Sequence, residues 1–238
     1  MSDKHKIVSK EEWIEARKQL LAKEKEFTRL RDELSRERRE LPWERVLENY
    51  VFDGPKGKES LSDLFEGRTQ LIIYHFMFHP DWKEGCKACS FWADNFNNII
   101  VHLNHRDTTM VAISRARHET IAPYQKRMGW TFKWLSSFAN DFNYDFQVSF
   151  TPEQVKAGTA TYNYQVTTSG GDHGELPGIS VLYKDEAGQI FHTYSTFQRG
   201  LDMLNVAYHY LDLVPKGRDE DELDFTMSWL RRHDDYGR

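Results

Sequence analysis

The chain has 238 residues, 29 % of them charged, with a formal net charge of -5. That length can bury a sizeable core, and one decorated domain is expected rather than two. The acidic balance leaves no electrostatic footprint for nucleic acid, and no apolar run reaches membrane-spanning length.

The opening residues Met1-Ser-Asp-Lys-His lack the apolar core of a signal peptide, so a cytoplasmic location is the default expectation. Ser9-Lys-Glu-Glu12 is a capping-box pattern, and neither Gly nor Pro occurs from there to Arg39. Trp13, Leu20, Phe27, Leu34 and Leu41 recur every seven residues along this predicted helix. Lys23 and Glu37 interrupt the second heptad position, which argues against a long free-standing coiled coil. We expect residues 1–41 to form an amphipathic helical extension that packs on the main domain or on a second subunit, which makes a homodimer plausible. Pro42 stops the helix.

Residues 42–215 are expected to form the main domain. Val46–Phe52 reads as a strand, Asp53–Lys58 as a turn, and Leu61–Gly67 as a short helical turn. Gln70–Phe76 is an apolar run of strand length, as a central strand requires. A loop carrying His79, Asp81 and Trp82 leads to Cys86-Lys-Ala-Cys89, the only two cysteines of the chain, and a helical run over Ser90–Leu103 follows. Thr109–Ser114 is a second buried strand, Glu119–Met128 a helix, and Lys133–Ser137 a short strand. Asn140–Val148 reads as a polar-aromatic loop and Thr161–Thr167 as an edge strand. Ser169–Glu175 reads as a flexible loop. Pro177-Gly178 opens a strand over Ile179–Tyr183, and Asp185–Gly188 turns it into Ile190–Tyr194. Leu201–Leu211 is the last helix. The acidic tail, residues 216–238, is expected to pack on the domain or on a partner subunit.

A Cys-x-x-Cys pair between a buried strand and a helix start is the signature of a thioredoxin-like redox site. The spacing lets the two sulfurs face each other, so a disulfide can close and reopen. Unpaired N–H groups at a helix start favour a thiolate, and such settings lower a thiol pKa from ~8.5 to ~3.5–7.5. Cys86 is therefore the expected attacking thiolate and Cys89 the resolving thiol. In a reducing compartment two lone cysteines read as catalytic, sensory or metal-binding rather than as a structural staple.

The order strand, helix, strand, helix, then Pro, hairpin and a last helix resembles thioredoxin-like folds. The segment Gly57-Lys-Glu-Ser-Leu-Ser-Asp-Leu64 before the dithiol strand is similar to the peroxiredoxin-like branch, as are Trp134-Leu-Ser-Ser137 and Tyr144-Asp-Phe-Gln-Val148. From Glu40-Leu-Pro-Trp43 onward the chain resembles an uncharacterised bacterial family, domain-of-unknown-function family 899. The matching stretches include Tyr74-His-Phe-Met-Phe-His-Pro-Asp-Trp82, Gly85–Asp94 with its two cysteines, Val111–Arg115, Arg127–Trp130, Phe191–Ser195 and Arg199–Asp202. The resemblance implies an α/β thioredoxin-like fold with a central mixed sheet flanked by helices. It also implies a dithiol–disulfide oxidoreductase acting on a protein or small-molecule disulfide or thiol.

Two features depart from better-known relatives. Gly85 stands where thioredoxin carries Trp, and the surroundings of Cys86 lack the Pro-x-x-x-Thr/Ser-x-x-Cys setting of peroxiredoxins, which favours disulfide exchange over peroxidase chemistry. Pro177 is a candidate for the cis-proline that thioredoxin-like proteins place opposite the dithiol, exposing backbone for an extended substrate. His79 or Asp81 could relay a proton to Cys89, and Trp82 belongs to the same loop. Arg115, just past a strand end, could face the cleft or form a surface salt bridge. The rival reading is a Zn or Cu(I) site made by Cys86 and Cys89 with His75 and His79, and His192 as a further candidate. A third class, an inert interaction module, would tolerate loss of both sulfurs. No organic cofactor is implied, because no Gly-rich phosphate loop is present.

Overall fold

The computed structural model describes residues 5–167, 171 and 173–237. The chain divides into two compact units, residues 1–42 and 43–238. In the first, helix α1 spans Lys10–Glu40. Its start is a complete capping box: the Ser9 hydroxyl accepts from Glu12 N–H at 3.2 Å, and the Glu12 carboxylate accepts from Ser9 N–H at 2.9 Å.

The second unit is built on an eight-stranded mixed sheet. Its strands are β1 (Glu44–Val46), β2 (Val51–Gly54), β3 (Gly57–Ser60), β4 (Gln70–His75), β5 (Thr108–Ser114), β6 (Lys133–Ser136), β9 (Gly178–Lys184) and β10 (Ile190–Phe197). They lie in the order β1-β10-β9-β4-β5-β6-β2-β3. A separate two-stranded ribbon pairs β7 (Thr161–Tyr162) with β8 (Gln165–Val166). Strand β4 pairs in parallel with β5 and antiparallel with β9, so its backbone is satisfied on both edges. Helices α2 (Lys87–Ala93) and α3 (Ile100–His105) carry the chain from β4 to β5, and α4 (His118–Arg127) carries it from β5 to β6. The β9–β10 hairpin and α7 (Val206–Leu211) complete the thioredoxin-like order, and the β2–β3 hairpin precedes β4.

Alternation along β4 sets the two faces of the sheet. Tyr74 joins a core with Phe76, Phe78, Cys89, Trp92 and Trp134 on one face. Ile73 joins Phe52, Leu64, Val111 and Leu135 on the other. The dithiol thus belongs to the aromatic face.

Several sequence expectations need correction. Val46–Phe52 is not one strand: β1 pairs with β10 at one end of the sheet order and β2 with β6 near the other. The run after the dithiol is two short helices, and the last helix is a 3-10 turn over Gln198–Leu204 followed by α7. The loop 140–148 contains a helical turn, α5 (Phe142–Asp145). The predicted edge strand 161–167 is the β7–β8 ribbon. Helix α6 (Pro152–Ala157) was not expected, although Thr151-Pro-Glu-Gln154 forms a complete capping box. The predicted flexible loop Ser169–Glu175 lies partly outside the described residues.

Candidate active site

The site grows from the end of β4. Beyond His75 the chain loops through residues 76–85 and returns, with Cys86 N–H donating to the Met77 carbonyl at 3.1 Å. Cys86 sits at the N-cap of α2 with a non-helical backbone (φ -53°, ψ 133°), and Ser90 N–H closes the first helical hydrogen bond onto its carbonyl at 3.0 Å. Both cysteines are free thiols. Cys86 is half-buried and Cys89 is 1 % exposed.

The two sulfurs have opposed electrostatics. The Cys89 thiol donates to the Cys86 sulfur and, against burial, brings Cys86 down to about 7. The N–H groups of Cys89 and Ala88 and the positive charge of Arg232 act in the same direction. Burial first, and then the hydrogen bond and negative charge of Cys86, push Cys89 well above the ordinary thiol range. Met77 N–H, 3.4 Å from the Cys89 sulfur, and the Tyr74 hydroxyl oppose that shift.

Arg232 comes from the far end of the chain. Its side chain is 11 % exposed. It donates to the Gly85 carbonyl at 2.8 Å and to the Tyr124 hydroxyl at 3.0 Å, and pairs with Glu84 at 3.0 Å. Tyr124 meets the Ser90 hydroxyl at 2.8 Å, and Ser90 donates to the Cys86 carbonyl at 2.8 Å. Arg127 also pairs with Glu84, and with Asp234 at 2.7 Å. These bonds fasten the residues before and after Cys86 to the C-terminal segment. No local pattern marked Arg232 in the sequence.

Gly85 has a steric role. A Cβ there would lie 2.6 Å from the Phe76 ring and 2.8 Å from the Tyr124 ring. The Trp of thioredoxin has no room at this position. Gly85→Ala should force the loop off the aromatic wall and cost about 1–3 kcal/mol of stability, measurable by urea denaturation. Wild-type stability in Gly85→Ala would contradict this packing.

The remaining candidates lie elsewhere. All peptide bonds among the described residues are trans, so Pro177 is not a cis-proline. It lines the cavity beside Cys89, and its carbonyl accepts from the Tyr162 hydroxyl at 2.6 Å. Asp81 is largely exposed and lies 3.6 Å from His79, whose ring packs near Trp82 and His173. The groups that bond to the Cys89 sulfur are those of Met77, Tyr74 and Cys86 rather than the expected His79 or Asp81. Arg115 does not serve the cleft: it pairs at 2.9 Å with Glu175, which is 1 % exposed, and stacks over Tyr144.

The four residues of the metal reading do not converge. His75 alternates onto the sheet face opposite the cysteines, beside Phe142 and Phe146, where its Nε2 meets the Ser180 hydroxyl at 2.8 Å. Burial lowers His75 to about 3. His192 lies on β10 and bonds to Ser195 at 2.7 Å. Among the described residues no three His, Cys, Asp or Glu side chains are grouped to hold a metal. No helix is long and apolar enough to cross a membrane among those residues.

A family model described as "Bacterial protein of unknown function (DUF899)" matches residues 2–236. No curated protein matches the chain. Solved structures similar to it include the peroxidoxin BcpB from Mycobacterium tuberculosis, at 10% identity over 70% of this chain and 94% of that one, with a TM-score of 0.44. A peroxiredoxin Q from Xanthomonas campestris shows 16% identity over 68% and 95%, with a TM-score of 0.46.

Proposed function

The chain belongs to the DUF899 family, and we propose that it is a thiol–disulfide oxidoreductase working through Cys86 and Cys89. The observation that carries this reading is the division of labour between two hydrogen-bonded sulfurs, one held near 7 and half-buried, the other buried and held protonated. The Cys86 thiolate attacks a substrate disulfide and forms a mixed disulfide, and the leaving thiolate takes a proton. Once Cys86 is bonded to substrate it no longer carries negative charge. The contribution of Cys86 to the raised Cys89 value is then lost, while Met77 N–H and Tyr74 still favour the Cys89 thiolate. Cys89 attacks the Cys86 sulfur, closes the protein disulfide and releases the second thiol.

A mixed-disulfide trap tests this order. Cys89→Ser, mixed with insulin as a protein disulfide, should accumulate an adduct on Cys86, seen by mass spectrometry on non-reduced samples. Adducts that form on Cys89 in Cys86→Ser and not on Cys86 in Cys89→Ser would reverse the assigned roles.

A further inference from the structure

Helix α1 carries an apolar stripe, and no residue of α1 is buried. Trp13, Leu20, Phe27 and Leu34 lie seven residues apart. Phe27 is 66 % exposed, Trp13 59 % and Leu20 52 %, and Leu30, three residues after Phe27, is 57 % exposed beside them. A seven-residue repeat keeps one seam of a helix turned towards a second helix running alongside. The residues that flank this seam are sorted by charge. The position before each stripe residue reads Glu12, Gln19, Glu26 and Glu33. The position four after each reads Arg17, Glu24, Arg31 and Arg38. In a parallel, in-register pair the first flank of one helix meets the second flank of the other, five residues further on. Glu12 then faces Arg17, Glu26 faces Arg31 and Glu33 faces Arg38, once in each direction, and Gln19 with Glu24 is the one neutral match. In an antiparallel pair each flank meets its own kind, so Glu faces Glu along one side and Arg mostly faces Arg along the other.

We infer that α1 is a dimerisation element whose partner is α1 of a second copy of this chain, parallel and in register. The charge pattern is complementary to itself in that arrangement, which selects a second copy over an unrelated helix. Lys23 and Glu37, which interrupt the second position of the seam, also find partners there. A side chain at that position inserts into a hole of the facing helix that is edged by the residue after its own counterpart. Lys23 therefore meets Glu24 of the second copy, and Glu37 meets Arg38 of the second copy. Polar residues inside a seam lower the stability of the pair and fix its register. The 31-residue helix is about 46 Å long, and a contact strip about 10–12 Å wide on each copy removes on the order of 1,000 Å² from water. That is the small end of stable interfaces, so the association is reversible and depends on concentration.

Sedimentation equilibrium of the full chain across micromolar concentrations tests this. Wild type should reach the mass of two chains at the upper end of the range. Phe27→Glu, at an exposed position, should sediment as one chain throughout, and Leu20→Glu serves the same purpose if Phe27→Glu fails to fold. Orientation and register are read from a double-mutant cycle. Glu26→Arg alone and Arg31→Glu alone each turn two attractive pairs into repulsive ones and should weaken association about tenfold. The two together should bring it back to within about threefold of wild type, because the pair is then restored with its signs exchanged. Residues five apart lie on different faces of a helix with 3.6 residues per turn, so restoration reports a contact between two helices. A monomeric or trimeric wild type, or a dimer that survives both Phe27→Glu and Leu20→Glu, would overturn the inference. So would charge reversals without effect, or a double variant that associates no more tightly than the single ones.

Discussion

Replacing Cys86 by serine should lower disulfide exchange by about three orders of magnitude or more, to the background of the uncatalysed reaction. The expected loss is this large because no other group at the site supplies the same chemistry. Cys89 is buried and held in its thiol form, and a thiol is a poor nucleophile beside a thiolate. The pH dependence carries the same signature. Cys86 is lowered to about 7, so its alkylation by iodoacetamide should rise with pH through about 7 and then level off. An ordinary thiol would keep gaining reactivity until ~8.5. The Cys89 thiol supplies the largest share of that lowering by donating to the Cys86 sulfur. A profile centred near the ordinary thiol value, or full exchange activity in Cys86→Ser, would remove Cys86 from the role assigned to it.

Arg115→Ala should destabilise the fold by about 1–3 kcal/mol near pH 8. Glu175 is 1 % exposed, and Arg115 at 2.9 Å and the Ser149 hydroxyl at 2.9 Å are its polar contacts. Removing the guanidinium takes away a group that favours the charged form, so near pH 8 the carboxyl takes up a proton, at a cost of about 1.4 kcal/mol per pH unit above about 7. Burial already pushes Glu175 up to about 7 against the pull of Arg115 and Ser149. A carboxyl whose folded value lies above its unfolded 4.5 holds its proton more tightly in the fold. Its contribution to stability therefore falls as pH rises from about 4.5 to about 7 and is flat above that. Near pH 5 the carboxyl is neutral with or without Arg115, so the cost of Arg115→Ala should shrink. Urea denaturation at both pH values measures the difference. A cost independent of pH would show that Arg115 acts through its packing over Tyr144 instead of through its charge.

The place of the two cysteines, between a buried strand and a helix start, was legible because its signals are local. Cys-x-x-Cys, the apolar run before it and the helix-forming residues after it lie within a short stretch of chain; β4 forms where that run places it, while α2 starts at Lys87, ahead of the expected Ser90, and ends at Ala93. The capping box at Ser9 is local in the same sense. What the sequence concealed was long-range. Arg232 meets Gly85 across 147 residues, and nothing around Arg232 marks it as more than one of several charges in an acidic tail. The metal reading failed on periodicity: His75 is next to Tyr74 in sequence, but alternation along β4 sends it through the sheet to the other face. Arg115, just past the end of β5, read equally as a cleft residue or a salt-bridge residue, and the structure has the ion pair, with a buried partner, Glu175, from 60 residues later. The single strand expected over Val46–Phe52 was misread because its apolar residues suit a strand, while pairing sends its two ends to distant places in the sheet. Helix α6 had a readable capping box, and its shortness hid it.

Gly85 joins the local and the distant signals. Its identity separates this chain from thioredoxin at one position of the sequence. The reason for it, the Phe76 and Tyr124 rings at the place of a Cβ, appears only in the fold. The same Tyr124 hydroxyl receives Arg232, so the wall that excludes a side chain before Cys86 also anchors the cation that favours its thiolate.

An equilibrium redox titration of the metal-stripped protein, with thiols counted at each step, tests the central claim most directly. The account predicts a reversible two-electron transition in which Cys86 and Cys89 are consumed together, absent in Cys86→Ser. A potential near ~-270 mV would mark the pair as a reductase, and one near ~-120 mV as an oxidase or isomerase. If no disulfide forms at any accessible potential, or if the two thiols oxidise independently, Cys86 and Cys89 are not a redox pair and the exchange mechanism is wrong.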